Sequence, residues 1–264
     1  MPQLDDALLD GKVVLVTGGT QGLGAAVAIA AARNGADVVV TGRRKDVGER
    51  FVAELADRSR CGVRYVQADA GDVGQGQNAV VETVDRFGRI DCLVNSAGLT
   101  TRGTVLDTTP ELFDEHIAVN LRGPFFLMQA AIKDMVARGE GWSIVNIITM
   151  SSHGGQPYLA PYVASKSGLV GLTRNAAFAH RWDRIRINGV NIGWTETEGE
   201  DAIQRRFHGA GDDWLEKAAA SVPMGKLGQV DEIADFVVFL LSPRSGVVTG
   251  SVLDWDQTVP GTGD

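Results

Sequence analysis

The sequence predicts a single α/β domain, in which a doubly wound parallel sheet of about seven strands carries helices on both faces. Short runs rich in β-branched residues alternate with longer segments of helical periodicity along almost the whole chain. The predicted strands are apolar on both faces, which is typical of parallel strands between two layers of helices. No linker, repeat or low-complexity tract interrupts residues 1–264, so we expect one domain.

Each element has its own local pattern. Apolar, β-branched runs bounded by Gly, Asn or Asp predict the strands, which in chain order are Lys12–Thr17, Asp37–Thr41, Val63–Gln67, Asp91–Asn95, Ser143–Ile148, Arg186–Val190 and Ser251–Asp254. Apolar residues at helical spacing predict the helices, which are Leu23–Asn34, Asp46–Arg58, Gln75–Phe87, a broken stretch Pro110–Arg138, Ala160–His180, Asp201–Ala220 and Asp231–Leu241. Ligands of such sheets bind outside the carboxyl ends of the strands. The residues that follow each strand are therefore the candidates for a functional site.

Composition and charge exclude several classes of protein. Hydrophobic residues make up 44% of the chain and charged residues 22%, which is typical of a folded protein with a sizeable core. The 25 Lys and Arg against 33 Asp and Glu give a formal net charge of −8. We therefore expect no nucleic-acid partner and no anionic membrane partner.

The sequence also lacks targeting and metal-binding patterns. Cys61 and Cys92 match neither a disulfide framework nor a zinc-ligand spacing, so no metal is expected. Residues 1–9 contain no basic residue, which disfavours a secretory signal. The longest apolar runs fall well short of the roughly 20 residues that span a bilayer. We therefore expect a cytoplasmic protein.

A glycine-rich turn follows the first predicted strand and precedes an Ala-rich helix. Its glycines have the spacing G-x-x-x-G-x-G. Glycine permits the positive φ of a tight turn and, without a Cβ, lets the backbone and the helix N-terminus approach a pyrophosphate closely. Such a cluster can also be only a turn, but its position between strand and helix favours a dinucleotide site. The predicted contacts are Gly18, Thr20, Gln21, Gly22, Leu23 and Gly24.

Two further strand ends support a dinucleotide across the edge of the sheet. Asp69 and Ala70 follow the third strand, where a carboxylate would accept a hydrogen bond from an adenine amino group. A helix N-cap or loop acid is the alternative for Asp69. Asn95, Ala97 and Gly98 follow the fourth strand, where small residues let a flat ring pass close to the backbone, and a plain turn is the alternative.

The end of the second strand discriminates between the two nicotinamide dinucleotides. An acid there would hold the ribose 2′-hydroxyl of NAD, whereas an arginine accommodates the 2′-phosphate of NADP. The sequence has Gly42, Arg43 and Arg44 at this point, and no acid. NADP(H) is therefore favoured over NAD(H), because a guanidinium binds phosphate through two parallel hydrogen bonds. Two solvated loop charges are the alternative.

The chemical site is predicted after the fifth strand. Tyr162 and Lys166 stand at i and i+4 on a predicted helix, so they share one face. A phenol normally has a pKa of about 10, and a neighbouring ammonium lowers it, which would make Tyr162 a general acid or base near neutral pH. Thr149 directly follows the strand, thirteen residues before Tyr162. Taken alone, a Tyr-x-x-x-Lys pair is also common on ordinary amphipathic helices.

These motifs occur together in the order and spacing of the short-chain dehydrogenase/reductase family, which the chain resembles over almost its whole length. The resemblance is carried by the glycine turn, Asn95-Ser96-Ala97-Gly98, Asn120, the Tyr162 and Lys166 pair, Ile187–Gly193 and Thr249–Ser251. It implies a Rossmann-type domain, usually a homotetramer, that transfers a hydride between a nicotinamide and a carbonyl or secondary alcohol carbon.

The same resemblance implies roles for individual residues. Tyr162 would be the proton donor or acceptor, and Lys166 would lower its pKa and hold the nicotinamide ribose. Asn120 would organise a water in the proton relay, with a helix-kink or capping residue as its alternative. Gly193 and Thr197 follow the sixth strand and would contact the cofactor, Thr197 at the carboxamide.

Three positions depart from the family pattern. Thr149 stands where the family has a substrate-orienting serine; its hydroxyl can still donate, its extra methyl restricts χ1, and Ser151 is the fallback. Ser96 replaces the second Asn of the usual Asn-Asn pair. Ile192 replaces the usual Pro before Gly193, which leaves the geometry of the following loop open.

Substrate choice in such folds depends on the segment after the sixth strand, here residues 194–222. Its polar and indole groups, with side chains beside Thr149, would line a pocket for a polyhydroxylated ligand such as a sugar or polyol. The predicted contacts are Ser151, His153, Gln156 and Trp194. A mobile lid with ordinary surface charge is the alternative for this segment.

Three other functions fit parts of the pattern. A 3-oxoacyl-type ketoreductase is less natural, because an acidic enzyme would repel an acidic acyl carrier. A nucleotide-sensing regulator on the same scaffold would not need the intact set of Asn120, Tyr162 and Lys166. A methyltransferase would leave the spacing of Tyr162 and Lys166 unexplained.

Overall fold

A computed structural model describes residues 7–261 of the chain. Within them, one parallel sheet has the strand order β3-β2-β1-β4-β5-β6-β7. The strands are β1 (Val13–Thr17), β2 (Asp37–Gly42), β3 (Val63–Gln67), β4 (Cys92–Asn95), β5 (Ser143–Thr149), β6 (Arg186–Ile192) and β7 (Val252–Trp255). The predicted doubly wound parallel sheet is confirmed. The expectation about residues 1–9 falls mainly on residues 1–6, which lie outside the described residues.

Helices cover both faces of the sheet. Over the described range they are α1 (Gly22–Arg33), α2 (Lys45–Arg58), α3 (Val73–Phe87), α4 (Pro110–Ile117), α5 (Gly123–Arg138), α6 (Ala160–Ala179), α7 (Glu198–His208), α8 (Trp214–Ala220) and α9 (Val230–Leu241). Short 3₁₀ turns occupy Met150–His153 and Pro243–Ser245. From residue 7 to residue 261, no helix is long and apolar enough to cross a membrane.

Two hydrophobic clusters cover the two faces of the sheet. Val14 and Val16 of β1 pack in the cluster that includes α1 and α9, whereas Leu15 between them packs in the cluster that includes α3 and α5. Neighbouring residues of a strand point to opposite faces. β1 is therefore apolar throughout because helices cover it on both sides.

The order of the strands reverses between β1 and β4. β2 and β3 lie on one side of β1, and β4 to β7 lie on the other, so the chains that follow β1 and β4 diverge and leave a crevice at the carboxyl end of the sheet. Thr17 ends β1 and is paired in register with Asn95, which ends β4. The glycine-rich turn and the turn after Asn95 therefore flank this crevice.

The prediction of one helix over Asp201–Ala220 is wrong. The structure has two helices there, α7 and α8, and Gly209 ends α7 with a φ of 61°. This left-handed conformation is favoured by glycine directly after a helix and terminates its hydrogen-bond pattern. Gly209 and Gly211 between the two helices are the sign of this break in the sequence.

Two other segments differ in detail from their predictions. The broken stretch Pro110–Arg138 consists of α4 and α5, joined without a gap by a π turn at Ala118–Arg122. β5 and β6 extend to Thr149 and Ile192. Thr149 therefore ends a strand instead of following it.

Candidate active site

The turn after β1 is pressed against the turn after β4. Gly18 has a φ of +64°, and a Cβ on it would lie 2.9 Å from the Cα of Ala97, so glycine is required there. The Oγ1 atom of Thr17 accepts hydrogen bonds from the N–H groups of Ser96 and Ala97, at 3.2 and 3.3 Å. Thr17 had no predicted role. Its one visible sign was a hydroxyl residue at the end of a buried strand.

The N-terminus of α1 is open to a ligand. Its N-cap residue, Gln21, makes no side-chain cap, and no acid stands in the first turn. The first N–H groups of a helix have no acceptor within it, so they fit the phosphates of a dinucleotide. A Cβ on Gly22 would meet no atom within 4 Å, whereas one on Gly24 would lie 2.3 Å from the carbonyl oxygen of Gly18. The Leu23 side chain packs in the core, so that residue offers a ligand only its backbone.

The turn after β3 is fixed by its own hydrogen bonds. The Oδ1 atom of Asp69 accepts from the N–H of Gly71 at 2.8 Å, and the N-cap of α3 is Asp72 rather than Asp69. The carbonyl of Ala70 lies against α5, since a Cβ on Gly123 would be 2.1 Å from that oxygen. The Oδ2 atom of Asp69 makes no hydrogen bond to any part of the chain that the structure describes, which leaves it available to an adenine amino group.

Arg43 and Arg44 are exposed at the end of β2. The Arg44 guanidinium donates a hydrogen bond to the Oε1 atom of Gln21 in the glycine-rich turn. Within the described residues, Arg43 is bonded only through its backbone carbonyl, which accepts from Gln67 Nε2 at 2.9 Å. The Arg43 side chain therefore remains a cation beside the mouth of the crevice.

The four predicted catalytic residues meet at the carboxyl ends of β4 and β5. Thr149 ends β5, Tyr162 and Lys166 lie near the start of α6, and Asn120 lies in the π turn between α4 and α5. A hydrogen bond joins the side chains of Thr149 and Tyr162. A Cβ on Gly98 would lie 3.7 Å from Asn120 Oδ1 and 3.8 Å from Lys166 Nζ, so the turn after β4 passes directly over both side chains.

Buried hydrogen bonds fix Lys166 and Asn120. The Nζ atom of Lys166 donates to the carbonyl oxygen of Ile147 at 2.8 Å. The side chain of Asn120 bonds both backbone groups of Leu99, accepting at 2.8 Å and donating at 2.9 Å, and also donates to Ser165 Oγ at 3.1 Å. One lone pair of Asn120 Oδ1 remains for a water. Asn120 lies within a π turn, and π turns within helices are frequent at functional sites.

The pKa of Tyr162 shifts in the opposite direction to the one expected. Burial raises the pKa of Tyr162 to about 12, although the hydrogen bond to Thr149 and the charge of Arg102 act to lower it. Burial also lowers the pKa of Lys166 to about 8. Lys166 Nζ lies 6.0 Å from the centroid of the phenol ring, and burial is the largest influence on the pKa of Tyr162. Tyr162 is therefore protonated at neutral pH, which is the form that donates a proton to a carbonyl oxygen.

The predicted substrate contacts separate into two groups. Thr149 Oγ1 donates to Ser151 Oγ at 3.2 Å, and Ser151 Oγ donates to Gln156 Oε1, so these three residues form a polar chain beside the phenol. His153 lies apart from them, with its Nε2 atom 3.1 Å from Asp254 Oδ1 on β7. The structure does not bring His153 to the catalytic cluster.

The segment after β6 is held together by paired indoles. Trp194 stacks on Trp214 with ring centroids 6.3 Å apart. Each indole N–H donates to an acid of α7, that of Trp194 to Glu200 at 2.8 Å and that of Trp214 to Asp201 at 2.7 Å. Trp194 remains partly exposed and can offer its ring face to a ligand.

Gly193 is tied to the end of β7. Its N–H donates to the carbonyl of Trp255 at 3.1 Å, and a Cβ on it would lie 1.9 Å from Asp256 Oδ1. Glycine is therefore required here even though Ile192 precedes it. Thr197 is the N-cap of α7, and its Oγ1 accepts a backbone N–H there, which leaves its hydroxyl proton free to donate.

Two residues near Tyr162 were missed by the sequence analysis. His116 is buried and meets the Tyr162 ring edge-on, with ring centroids 6.5 Å apart. The charge of Arg102 is close enough to act on the phenol. His116 stands four residues before Asn120, and this helical spacing was the available sign, whereas nothing in the loop sequence marked Arg102.

Comparison with known proteins agrees with this geometry. A family model described as enoyl-(acyl carrier protein) reductase matches residues 18–257. An L-rhamnose 1-dehydrogenase (NAD(P)(+)) of Sphingomonas sp. (strain SKA58) is 35% identical over 93% of this chain and 95% of the relative. An NADP-dependent (R)-specific alcohol dehydrogenase of Lentilactobacillus kefiri is 34% identical over 92% and 94%. A solved structure of NAD+-bound xylitol dehydrogenase has a TM-score of 0.86 at 27% identity, over 95% of this chain and 99% of that one.

The burial of Lys166 is expected to make stability depend on pH. The unfolded chain keeps this proton up to its ordinary pKa of 10.5, whereas the folded chain releases it near pH 8. Between these values the unfolded state binds more protons, so stability rises with pH. Lys166→Met removes the effect and should gain about 3 kcal/mol over the wild type below pH 8, a gain that disappears by pH 10.5.

Urea unfolding of both proteins between pH 7 and pH 10.5 measures this difference. Lys133→Met, at an exposed position of α5, is the matched control. The difference in its free energy of unfolding from wild type should not change with pH. A difference between Lys166→Met and wild type that stays constant over the range would contradict the prediction.

Proposed function

Because the chain belongs to the short-chain dehydrogenase/reductase family, it is an NAD(P)-dependent oxidoreductase acting on CH–OH groups, and we propose that its substrate is a sugar or polyol. The open N-terminus of α1 and the required Gly18 fit the dinucleotide. When bound, this cofactor supplies or accepts the hydride. The residues of the chain bind it, orient the substrate and move the proton.

The assignment of the reacting groups rests on one observation. This is the hydrogen bond between Thr149, at the end of β5, and Tyr162, near the start of α6. Tyr162 donates its phenolic proton to a carbonyl oxygen in reduction and takes it back in oxidation. Thr149 donates a second hydrogen bond to the same oxygen as negative charge develops. Lys166, with its Nζ atom 6.0 Å from the centroid of the phenol ring, and Asn120 pass the proton on through a water.

The polar chain beside Thr149 supports a polyhydroxylated substrate. Ser151 and Gln156 offer hydroxyl and amide groups next to the reacting oxygen, and Trp194 offers a partly exposed ring. Relatives named for L-rhamnose and xylitol point to the same class. A 3-oxoacyl-type ketoreductase is the second candidate, favoured by the description of the matching family model. The net charge of −8 opposes its acidic carrier.

We propose NADP(H) as the preferred cofactor. The end of β2 has no acid for a free 2′-hydroxyl, and the Arg43 side chain is free to meet a 2′-phosphate. Arg44 is already bonded to Gln21 and lies on the same rim. The proposal depends on the charge at this strand end, where an acid would repel the 2′-phosphate.

A cytoplasmic homotetramer completes the proposal. The resemblance implies the tetramer, and exposed apolar side chains on three neighbouring helices support an association between copies; they are Phe113, Phe125, Val136 and Phe178. Light scattering of the purified protein measures its mass. Cys61 and Cys92 match no disulfide framework, which supports the cytoplasm.

Tyr162→Phe is expected to abolish turnover and to leave cofactor affinity nearly unchanged, because it removes only the proton carrier. With L-rhamnose, sorbitol and xylitol as substrates, kcat should fall at least about 100-fold. Nicotinamide absorbance measures the rate, and fluorescence titration measures cofactor binding. Retention of a tenth of the wild-type kcat would contradict the role, and no turnover of any sugar or polyol by the wild type would contradict the substrate class.

Thr149→Val is expected to lower kcat by about 100-fold, since it keeps the shape of the residue and removes the donor to the reacting oxygen. Thr149→Ser should remain active. Ser151→Ala is the matched control, because it removes the neighbouring hydroxyl of the same chain. A larger loss for Ser151→Ala than for Thr149→Val would assign the orienting role to Ser151.

Arg43→Ala is expected to raise the Kd for NADPH by about 10- to 150-fold and to leave that for NADH unchanged, as expected for loss of a charge-assisted phosphate contact. Arg50→Ala on α2 removes another exposed cation and serves as control. The double variant at Arg43 and Arg44 shows whether they share the phosphate. Tighter binding of NADH than NADPH by the wild type would overturn this preference.

The reverse change, Gly42→Asp, should move the preference towards NADH. A Cβ on Gly42 would lie 2.8 Å from Thr20 Oγ1, so the variant is best made together with Thr20→Ala. Thr20→Ala alone then serves as its reference.

A further inference from the structure

Arg102 is a cation at the crevice for which the proposed reaction has no use. It lies on the loop that follows the turn after β4, close enough to Tyr162 for its charge to act on the phenol. Its guanidinium forms no ion pair with any residue from 7 to 261. Because no acid among the described residues neutralises it, this guanidinium can pair with an anion from outside the chain.

The hydrogen bonds of Arg102 leave part of its guanidinium unused. Nη1 donates to the carbonyl of Thr100 at 3.0 Å, and Nη2 contacts His208 Nε2 at 3.3 Å. A guanidinium has only donors, so the His208 nitrogen is the acceptor. The Nε atom of Arg102 is buried and has no partner within the described residues. Buried donors are nearly always paired, and an exception points to a missing acceptor.

Three segments of the chain hold the guanidinium in place. The N–H of Gly103 donates to the carbonyl of Tyr158 at 2.9 Å, and the N–H of Ala160 donates to the carbonyl of Gly103 at 2.9 Å, which joins this loop to the start of α6. The guanidinium carbon lies 5.4 Å from the centroid of the Tyr158 ring. The His208 ring, at the end of α7, meets Tyr158 edge-on at 5.5 Å. The cation is therefore positioned before any ligand arrives.

A nearby acid does not neutralise Arg102. Glu200 is close enough to Tyr162 to raise the pKa of that phenol. Its Oε1 atom accepts from Trp194 Nε1 at 2.8 Å and from Gln204 Nε2 at 2.7 Å. Glu200 is thus held by neutral donors of its own segment, and the guanidinium stays available.

We propose that Arg102 binds a carboxylate of the substrate, so that the substrate is a polyhydroxy acid. The Nε and Nη2 atoms form one edge of the guanidinium, and a carboxylate accepts from both in parallel. The carbon chain of the acid then extends from Arg102 towards Tyr162, where a hydroxyl carbon reacts. This inference rests on the proposed function and specifies the far end of its substrate.

Binding to the enzyme–NADPH complex tests the proposal without turnover, because an alcohol cannot be oxidised there. The probes are gluconate and sorbitol, which share a six-carbon polyol chain and differ in one terminal carboxylate. Calorimetry gives Kd for wild type, Arg102→Gln, Arg102→Lys and Arg206→Gln. Arg206, two residues before His208 on α7, lies over the Phe207 ring and provides the matched control.

Wild type should bind gluconate at least about 10-fold more tightly than sorbitol. Arg102→Gln should weaken gluconate binding by about 10- to 100-fold with little effect on sorbitol binding. Arg102→Lys keeps the charge but lacks the two parallel donors, so its Kd for gluconate should lie between those of wild type and Arg102→Gln. Arg206→Gln should change neither. Equal affinities, an unchanged Kd in Arg102→Gln or no gluconate binding by the wild type would overturn the proposal.

Failure of the proposed function has a different result. Selective gluconate binding that depends on Arg102, without reduction of NADP+ by any sugar, polyol or sugar acid, supports the anion site and contradicts the polyol dehydrogenase. Turnover of sorbitol without tighter binding of gluconate supports the polyol dehydrogenase and contradicts the anion site. Thermal unfolding of Arg102→Gln shows whether the variant is folded, so that a loss of affinity is not mistaken for a loss of structure.

Discussion

The site depends on how closely two backbone turns approach where the order of the strands reverses. β1 and β4 are neighbours, yet the chains that follow them leave in opposite directions. The contact of Gly18 with Ala97 and the two hydrogen bonds to Thr17 hold these turns together. With the turns in this position, the N-terminus of α1 faces the crevice and Gly98 lies over Asn120 and Lys166. A side chain at Gly18 would separate the turns and disturb both halves of the site.

Burial moves both Tyr162 and Lys166 towards their neutral forms. The pKa of Tyr162 rises to about 12 and that of Lys166 falls to about 8. Burial disfavours both a phenolate and an ammonium, because both would be charges with little solvent around them, although Lys166 still keeps its proton at pH 7. Burial has the largest effect on the pKa of the phenol and the hydrogen bond to Thr149 the next, while Arg102 lowers this pKa and Glu200 raises it by smaller amounts. The fine adjustment of this pKa thus comes from one loop residue and one residue of α7.

The parts of the structure that depend on local pattern could be predicted from the sequence. The doubly wound parallel sheet follows from the alternation of buried strands and helices, and the glycine turn was recognisable because its spacing lies within one short segment between a strand and a helix. The parts that depend on distant segments could not. His153 forms a hydrogen bond with Asp254, 101 residues away in the sequence, and the pKa of Tyr162 depends on burial by several elements. The hydroxyl of Thr17 acquires its role only when β4 lies beside β1.

The π turn at Ala118–Arg122 has a consequence for how this chain tolerates changes in length. A π turn inserts one extra residue into a continuous helix, and here it joins α4 to α5 without a gap. Deleting a single residue from it would restore regular winding and keep α4 and α5 in phase, because the extra residue is what widens the turn. Asn120 would then lose the backbone position from which its side chain bonds Leu99 and Ser165. Insertions and deletions are therefore far more constrained at this turn than in the loops of the same surface.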